Sequence, residues 1–380
     1  MENIHVDNYP LWKENRSMKL IVIYGAGMSG LVAAINLAKK GYTVIVHDRE
    51  PGYGGDPRYN PSTHTTPIDP GQASRYIGID VSPAFHPLAA CPFYLHDTKV
   101  QGPVAGIYTV ERGNRPTSLD TVLYAEALRL GVVFRFNSPL EPALIPDLPR
   151  GSIIACGLTT AAYEMLGLPH LRWYGWCSRG VSSRSNYSWI WLDECVTEYG
   201  YFSSANNYYF NLLFSIRPVT REGLAKYEDF MWRNEGIAHG NWDYLSGSVP
   251  IGSAGNPRLF HDGLILCGTI GGSMDPMFWF GTLGALISGK IAADAVTDPA
   301  GAEREFRRVN RYFRRAYGVK NRIWYRHIRP RVNLMERIVE MIGVPRLERF
   351  AAKRVRADRH ISFSIPGYAN LGSCWEENDS

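Results

Sequence analysis

The sequence predicts an α/β protein: a parallel sheet wrapped by helices, interrupted by a mainly β domain and followed by a basic helical extension. Three observations predict it. Residues 20–50 read as strand, glycine loop, helix and second strand. Residues 170–250 are crowded with aromatics in strand-like runs. Residues 301–360 hold 18 Lys and Arg against 6 Asp and Glu, a balance of +12 in a chain whose formal total is +5. The basic character therefore belongs to the C-terminal segment, and the remainder is net acidic.

The 380 residues, 45% hydrophobic and 20% charged, suit two intertwined domains and an extension. Residues 1–17 are polar, carry Pro10 and lack an apolar core; they are expected to form a loose arm, not a signal peptide. The six cysteines are scattered without a C-x-x-C pair, which fits free thiols in a cytoplasmic protein and gives no metal pattern. The longest uncharged stretches, around 263–274 and 276–289, are interrupted by glycines and Asp275-Pro276, so they read as strand, loop and buried helix, not as a membrane span.

Taken in order, 20–24 is a short β-branched apolar run, as expected of a strand buried on both faces. Gly25, Gly27 and Gly30 form G-x-G-x-x-G. The first glycine permits the tight turn, the second close approach to a pyrophosphate, the third close packing of helix on strand. Met28 and Ser29 lie between them, and 29–40 is rich in Ala and Leu without proline, a helix whose N-terminus faces phosphates. Residues 43–47 form the second strand and Asp48 follows it, placed for a ribose hydroxyl, with Arg49 beside it. An acidic residue there argues against a 2′-phosphate and leaves NAD and FAD open. This is a Rossmann-like unit.

Gly54-Gly55 offers a second place for backbone to lie against a cofactor. Residues 56–110 are expected to be loops with short strands, partly facing the substrate. His64, His86 and His96 occur there without metal-ligand spacing. Arg115 precedes a helix over 121–130, capped by Thr117 or Ser118 and ended by Gly131, and 132–136 returns to the sheet. Residues 151–158 form another buried strand ending at Gly157. Residues 208–217 predict a strand and 220–234 a helix capped by Thr220. The aromatics of this mainly β insert suit a ligand lid, although most must fill its core. Residues 264–267 predict a strand, and 282–296 a small-residue helix with a smooth packing surface. Residues 302–359 are helical and Arg-rich, with breaks expected at Gly318, Pro330 and Pro345. Leu334, Ile338, Met341 and Ile342 make an apolar stripe.

These blocks together resemble the FAD-dependent superfamily of aromatic hydroxylases, flavin halogenases and geranylgeranyl reductases. The resemblance covers about 18–297. It rests on 25–30 with Asp48, on Gly54-Gly55, on the Arg115 block with 153–157, and on Asp262-Gly-Leu-Ile-Leu-Cys-Gly-Thr through Asp275-Pro276 to Gly281 and Ser288-Gly289. It implies a discontinuous FAD-binding domain over 18–160 and 251–300, with a β-rich substrate domain at 161–250 and a helical extension at 301–380. It implies FAD as cofactor, with NAD(P)H as a transient electron donor. Gly281, Thr282 and Leu283 would face the pyrimidine side of the flavin, where a helix N-terminus stabilises negative charge. The chain departs from the pattern twice. Thr269 stands where the family has Asp on the ribityl chain, and Trp279 where it often has glycine. Phe278 and Trp279, with Tyr201 and Tyr208 of the insert, become substrate-pocket candidates.

The expected reaction is hydride transfer between flavin N5 and a bulky apolar or aromatic substrate, saturating or desaturating a C=C bond. Alternatives are hydroxylation using O₂ and NAD(P)H, or an idle nucleotide-binding interaction protein. A halogenase ranks last, because Lys99 is the lone lysine between Lys40 and Lys226 and lacks the family's surrounding motif. No acid or base is identified; Tyr201, Tyr208 and His239 qualify only as polar or aromatic residues of the insert. The basic segment 301–360 is expected to cap the substrate domain, or to touch a peripheral membrane or an acidic carrier. No nucleic-acid reading motif accompanies the charge.

Overall fold

The computed structural model describes residues 20–238, 240–250 and 257–354. The expected arm 1–17, His239, residues 251–256 and the tail beyond 354 lie outside the described residues.

The first sheet has six strands in the order Phe260–His261, Leu264–Leu266, Ile153–Ile154, Leu20–Tyr24, Thr43–His47, Val133–Arg135. All neighbours are parallel except the antiparallel edge pair Phe260–His261 with Leu264–Leu266. Leu20 pairs with Thr43 and Tyr24 with His47, so the glycine loop and Asp48 emerge together at the carboxyl edge. Leu264–Leu266 pairs in parallel with Ile153–Ile154. That pairing returns a distant part of the chain to the same edge. The small-residue helix Thr282–Ala295 lies on Met28–Lys39: a Cβ on Gly289 would stand 2.5 Å from Ser29 O and 2.9 Å from Val32 Cβ.

The second sheet runs Asp243–Val249, Leu171–Val181, Tyr208–Ser215, Gly200–Ala205, Tyr187–Leu192, Pro92–Leu95, Thr98–Gln101. Its strands alternate their side chains between two apolar clusters, as the pleat requires. On one face Trp189, Trp191 and Phe202 pack against Tyr227 and Phe230 of helix Arg221–Glu235. On the other, Ile190, Tyr199, Tyr201, Phe210 and Phe214 meet Phe278 and Trp279. A third, three-stranded sheet joins Ser62–Pro67, Ile107–Arg112 and Phe85–Pro87.

Two expectations need correction. Residues 56–110 contain a helix, Pro70–Ile77, besides loops and strands. Asp69 caps it by accepting from Gln72 N at 2.9 Å, and Gly78 closes it at φ 65°; its proline at the first position lacks only an N–H that would be unpaired there. In the extension one of the three expected breaks is present, at Pro330, and the other two are not. Helix Arg311–Val319 runs through Gly318, and Pro345 sits in the first turn of Val344–Arg354. The chain changes direction at Asn310, at the 3₁₀ turn Arg329–Arg331 that contains Pro330, and at Gly343 with φ 85°. Between the first two lies a wide-turn helix, Lys320–Ile328. Val332, Met335 and Val339 of helix Val332–Ile342 join the same cluster as Phe278 and Trp279. No helix among the described residues is long and apolar enough to cross a membrane.

Candidate functional site

The glycine loop differs in role from one glycine to the next. A Cβ on Gly25 would lie 2.4 Å from Ala155 O, and one on Gly30 only 1.9 Å from Gly25 O. These two glycines let the turn, strand and helix close on one another. Gly27 has nothing within 4 Å of its Cβ position and an ordinary φ of −78°. The space is open on the side where helix Met28–Lys39 begins without a side-chain cap. Unpaired N–H groups of Met28, Ser29 and Gly30 at such a start attract anions. Asp48 accepts from Ala26 N at 2.6 Å and from Glu50 N at 2.9 Å. A carboxylate has further lone pairs, so it retains capacity for hydroxyl donors. Arg49 is exposed and is bound to Asp56 at 2.7 Å and Glu50 at 2.8 Å.

The second half is the segment 268–283. Gly268, at φ 71°, would place a Cβ 2.4 Å from Ser29 Oγ, so it abuts the first helix start directly. Its N–H donates to Ser288 Oγ at 2.7 Å. Thr269 is half-buried, and its hydroxyl lies 3.8 Å from the Cβ position of Gly281. Helix Thr282–Ala295 begins at Gly281 with no side-chain cap, and Thr282 and Leu283 are buried. Asp275 is fully buried. Its Oδ2 accepts from Phe278 N at 2.7 Å and closes the turn, while its Oδ1 has no hydrogen-bond partner. Burial pushes its carboxyl up to about 6, against the opposing pull of the Phe278 N–H and the Lys320 charge. Trp279 adopts φ 59°. That left-handed conformation is why glycine suits this position, and a larger residue holds it at a cost of about 1–3 kcal/mol. The ring packs edge-on to Phe214 at 4.9 Å, and its Nε1 is buried without a partner. Ser273 Oγ is likewise buried and unpaired.

The loop is held from behind by the extension and by the β domain. Tyr317 donates to Gly272 O at 2.7 Å and to Met274 O at 3.2 Å. Lys320, fully buried, donates to Met277 O and to Glu198 Oε2, each at 2.8 Å. Burial lowers its pKa, and the paired Glu198 carboxylate opposes that. Tyr325 donates to the other oxygen of Glu198, and Tyr199 donates to Phe278 O. Sequence reasoning assigned no role to these five residues. The one signal available was that Lys320 is the only lysine between Lys290 and Lys353, in a segment that otherwise uses arginine.

Other candidates lie elsewhere or serve the protein itself. A Cβ on Gly54 would lie 2.6 Å from Gly113 C, and one on Gly55 would lie 2.8 Å from Asn60 Nδ2. Protein fills the Cβ position of Gly54, and both glycines hold positive φ, 100° and 76°, so the backbone turn itself calls for glycine at these positions. Arg115 pairs with Glu111, donates to Asn206 O at 3.1 Å and stands 4.6 Å over the Tyr208 ring. It joins the segment before helix Leu119–Arg129 to the strand Tyr208–Ser215, and Tyr208 is not part of the cluster of Phe278 and Trp279. Tyr201 belongs to that cluster, but its hydroxyl accepts from Thr65 N at 2.6 Å, and burial first of all pushes it up to about 12. Gly157, at φ 58°, follows the strand Ile153–Ile154 with open space around it. His96 meets Asp193 and Glu194 in space, with ligand atoms within 4.8 Å of one another. Lys226 Nζ already stands 2.8 Å from Asp193 and 2.9 Å from Glu194, so this group is an ion-pair network.

A family model for an NAD(P)-binding Rossmann-like domain matches residues 23–71. A flavin-containing monooxygenase of Arabidopsis thaliana is 42% identical over 52 residues, 14% of this chain and 11% of that protein. The sequence match thus spans about a tenth of that relative's length. Among solved structures, p-nitrophenol 4-monooxygenase of Pseudomonas putida DLL-E4 aligns over 88% of this chain and 98% of its own, with TM-score 0.59 and 14% identity. A variant of 2-methyl-3-hydroxypyridine-5-carboxylic acid oxygenase aligns over 92% and 98%, with TM-score 0.57 and 14% identity. The chain has the fold of these two oxygenases. A flavin-dependent halogenase shares it at TM-score 0.53 and 17% identity, over 80% of this chain and 62% of its own. In this fold the Rossmann-like unit and the segment 268–283 meet at one edge of the parallel sheet, beneath the aromatic face of the second sheet.

Proposed function

We propose that this chain binds FAD and acts as an oxidoreductase on a bulky apolar or aromatic small molecule. One observation carries the reading: two uncapped helix starts converge where the protein leaves buried polar atoms unpaired. Gly27 keeps space open at the first start. Ser273 Oγ, Asp275 Oδ1 and Trp279 Nε1, all buried without partners among the described residues, lie beside the second. Buried polar atoms are seldom left unpaired, so this loop fits a polar, planar group.

In this reading the N–H groups of 27–30 hold the pyrophosphate and Asp48 the ribose hydroxyls. The Thr269 hydroxyl holds the ribityl chain without charge assistance. The N–H groups of Thr282 and Leu283 face the pyrimidine side, where their partial positive charge favours an anion. Bound flavin supplies the two-electron redox chemistry. Phe278, Trp279, Tyr199 and Phe214 exclude water and give an apolar, aromatic wall against which a matching substrate is oriented. Hydride transfer that saturates or desaturates a C=C bond suits this dry wall. Hydroxylation with O₂ and NAD(P)H is the second reading, favoured by the names of the oxygenases and monooxygenases similar to this chain.

The test begins with the purified protein incubated with FAD and desalted. Retained absorption near ~450 nm is expected; a chain that stays colourless sinks the proposal. Gly27→Val keeps its fold, because the Cβ position is free, and loses flavin; a flavin-loaded Gly27→Val protein refutes the loop assignment. Turnover under nitrogen identifies hydride transfer. Substrate-dependent O₂ consumption matched to NAD(P)H oxidation identifies hydroxylation.

A further inference from the structure

Helix Val332–Ile342 has two apolar faces. The inner face, Val332, Met335 and Val339, packs on the second sheet. The outer face carries Leu334, Ile338, Met341 and Ile342 at 51%, 41%, 78% and 41% exposure. Their spacing of i, i+4, i+7 and i+8 puts them on one continuous stripe. A helix in a soluble core needs one apolar face, and exposed apolar stripes mark contact surfaces. The surroundings of the stripe have one sign of charge. Arg322, Arg326, Arg331, Arg337, Arg346 and Arg349 are all exposed, and Glu340 is the exposed carboxylate among the described residues of 322–349. The other two acids of this stretch turn inward: Glu336 binds His96 and Thr98, and Glu348 accepts from Gln101 N at 2.7 Å.

We propose that this face docks on an anionic lipid surface, with the stripe set into the headgroup boundary and the arginines over the lipid charges. A cation-rimmed apolar helix face in this arrangement is the physical signature of an interfacial helix. The absence of a spanning helix among the described residues agrees with a chain that lies on the surface. Docking on this face also brings the bilayer to the outer side of the helix whose inner side shares an apolar cluster with Phe278 and Trp279.

The experiment is flotation of the full chain with phosphatidylcholine vesicles, with and without phosphatidylglycerol. The protein is expected to float with the anionic vesicles and not with the neutral ones. Binding should fall as salt rises from about 0.1 M to about 1 M, since the screening length shrinks from about 10 Å to about 3 Å. Ile338→Asp with Met341→Asp should lower partitioning at least about tenfold, and Met341→Asp alone, at a side chain 78% exposed, should lower it with the melting temperature unchanged. Arg337→Ala and Arg346→Ala should each lower it about fivefold. Failure of the full chain to float with anionic vesicles overturns the proposal. Undiminished binding of the double aspartate variant overturns it too. A dimer of the native chain that this variant converts to monomer assigns the stripe to self-association instead.

Discussion

Asp275 provides a quantitative handle on the loop that faces the candidate redox site. Its side chain is fully buried, one oxygen is satisfied and the other is not. Burial raises its pKa from 3.8 to about 6. A carboxyl raised in the folded state binds its proton more tightly there than in the unfolded chain. It therefore stabilises the fold at low pH, and that contribution is lost as pH rises through about 4 to 6. Integrating the linkage between about pH 4.5 and about pH 8 gives roughly 2 kcal/mol of stability lost in the apoprotein over that range. Asp275→Asn keeps an acceptor for Phe278 N and removes the titration. Its amide also brings an unpaired donor, a constant offset of about 1–3 kcal/mol that does not depend on pH. The assay is urea unfolding of both apoproteins at several pH values. The stability difference, variant minus native, should rise by roughly 2 kcal/mol from the acid to the alkaline end of that range. A difference that stays flat with pH refutes the assignment of a raised carboxyl to this turn.

Two further perturbations bear on the extension. Lys320→Met leaves the fully buried Glu198 carboxylate without its ammonium partner, held by the Tyr325 hydroxyl and the more distant Arg329 charge, and should cost about 3–5 kcal/mol. Adding Glu198→Gln should recover most of that loss in the same unfolding measurement, and a double variant as unstable as the single one contradicts a buried ion pair. His96 joins Glu336 of the extension to Glu194 of the β domain at 2.7 Å and 2.5 Å. Burial lowers its pKa, but these carboxylates raise it overall. Its stabilising contribution is full below the unfolded value of about 6.5 and is lost as pH rises through the raised folded value. The melting-temperature gap between the native chain and His96→Asn, a residue that tolerates φ 52°, should therefore be widest below about pH 6.5 and should narrow as pH rises above it. A gap that does not change with pH excludes the charged histidine staple.

Local physics made much of the fold legible. The strands Leu20–Tyr24 and Thr43–His47, the helix between them, and the caps Ser118 and Thr220 depend on neighbours within a few residues. Helix Pro70–Ile77 was just as local, marked by Asp69, Pro70 and Gly78, but lay hidden in a stretch rich in turn residues. The glycines divide differently. Sequence marks Gly25, Gly27, Gly54 and Gly55 alike, whereas the structure reserves open space at Gly27 and fills the Cβ positions of the other three with protein. Only contacts across distant segments separate those cases.

By itself, the sequence determined the Rossmann-like unit, the mainly β insert, the return of 264–295 and the +12 balance of 301–360. Periodicity, turn chemistry and charge are properties of short windows, so they survive without coordinates. Only the tertiary structure decided that Lys320 and Arg329 are buried cations while their arginine neighbours face outward. It alone decided that Tyr317 and Lys320 hold the carbonyls of 272–277, and that Trp279 occupies a left-handed turn beside the helix start at Gly281. Burial and pairing of charge depend on what the chain brings in from 40 to 130 residues away, and no window of sequence contains that information.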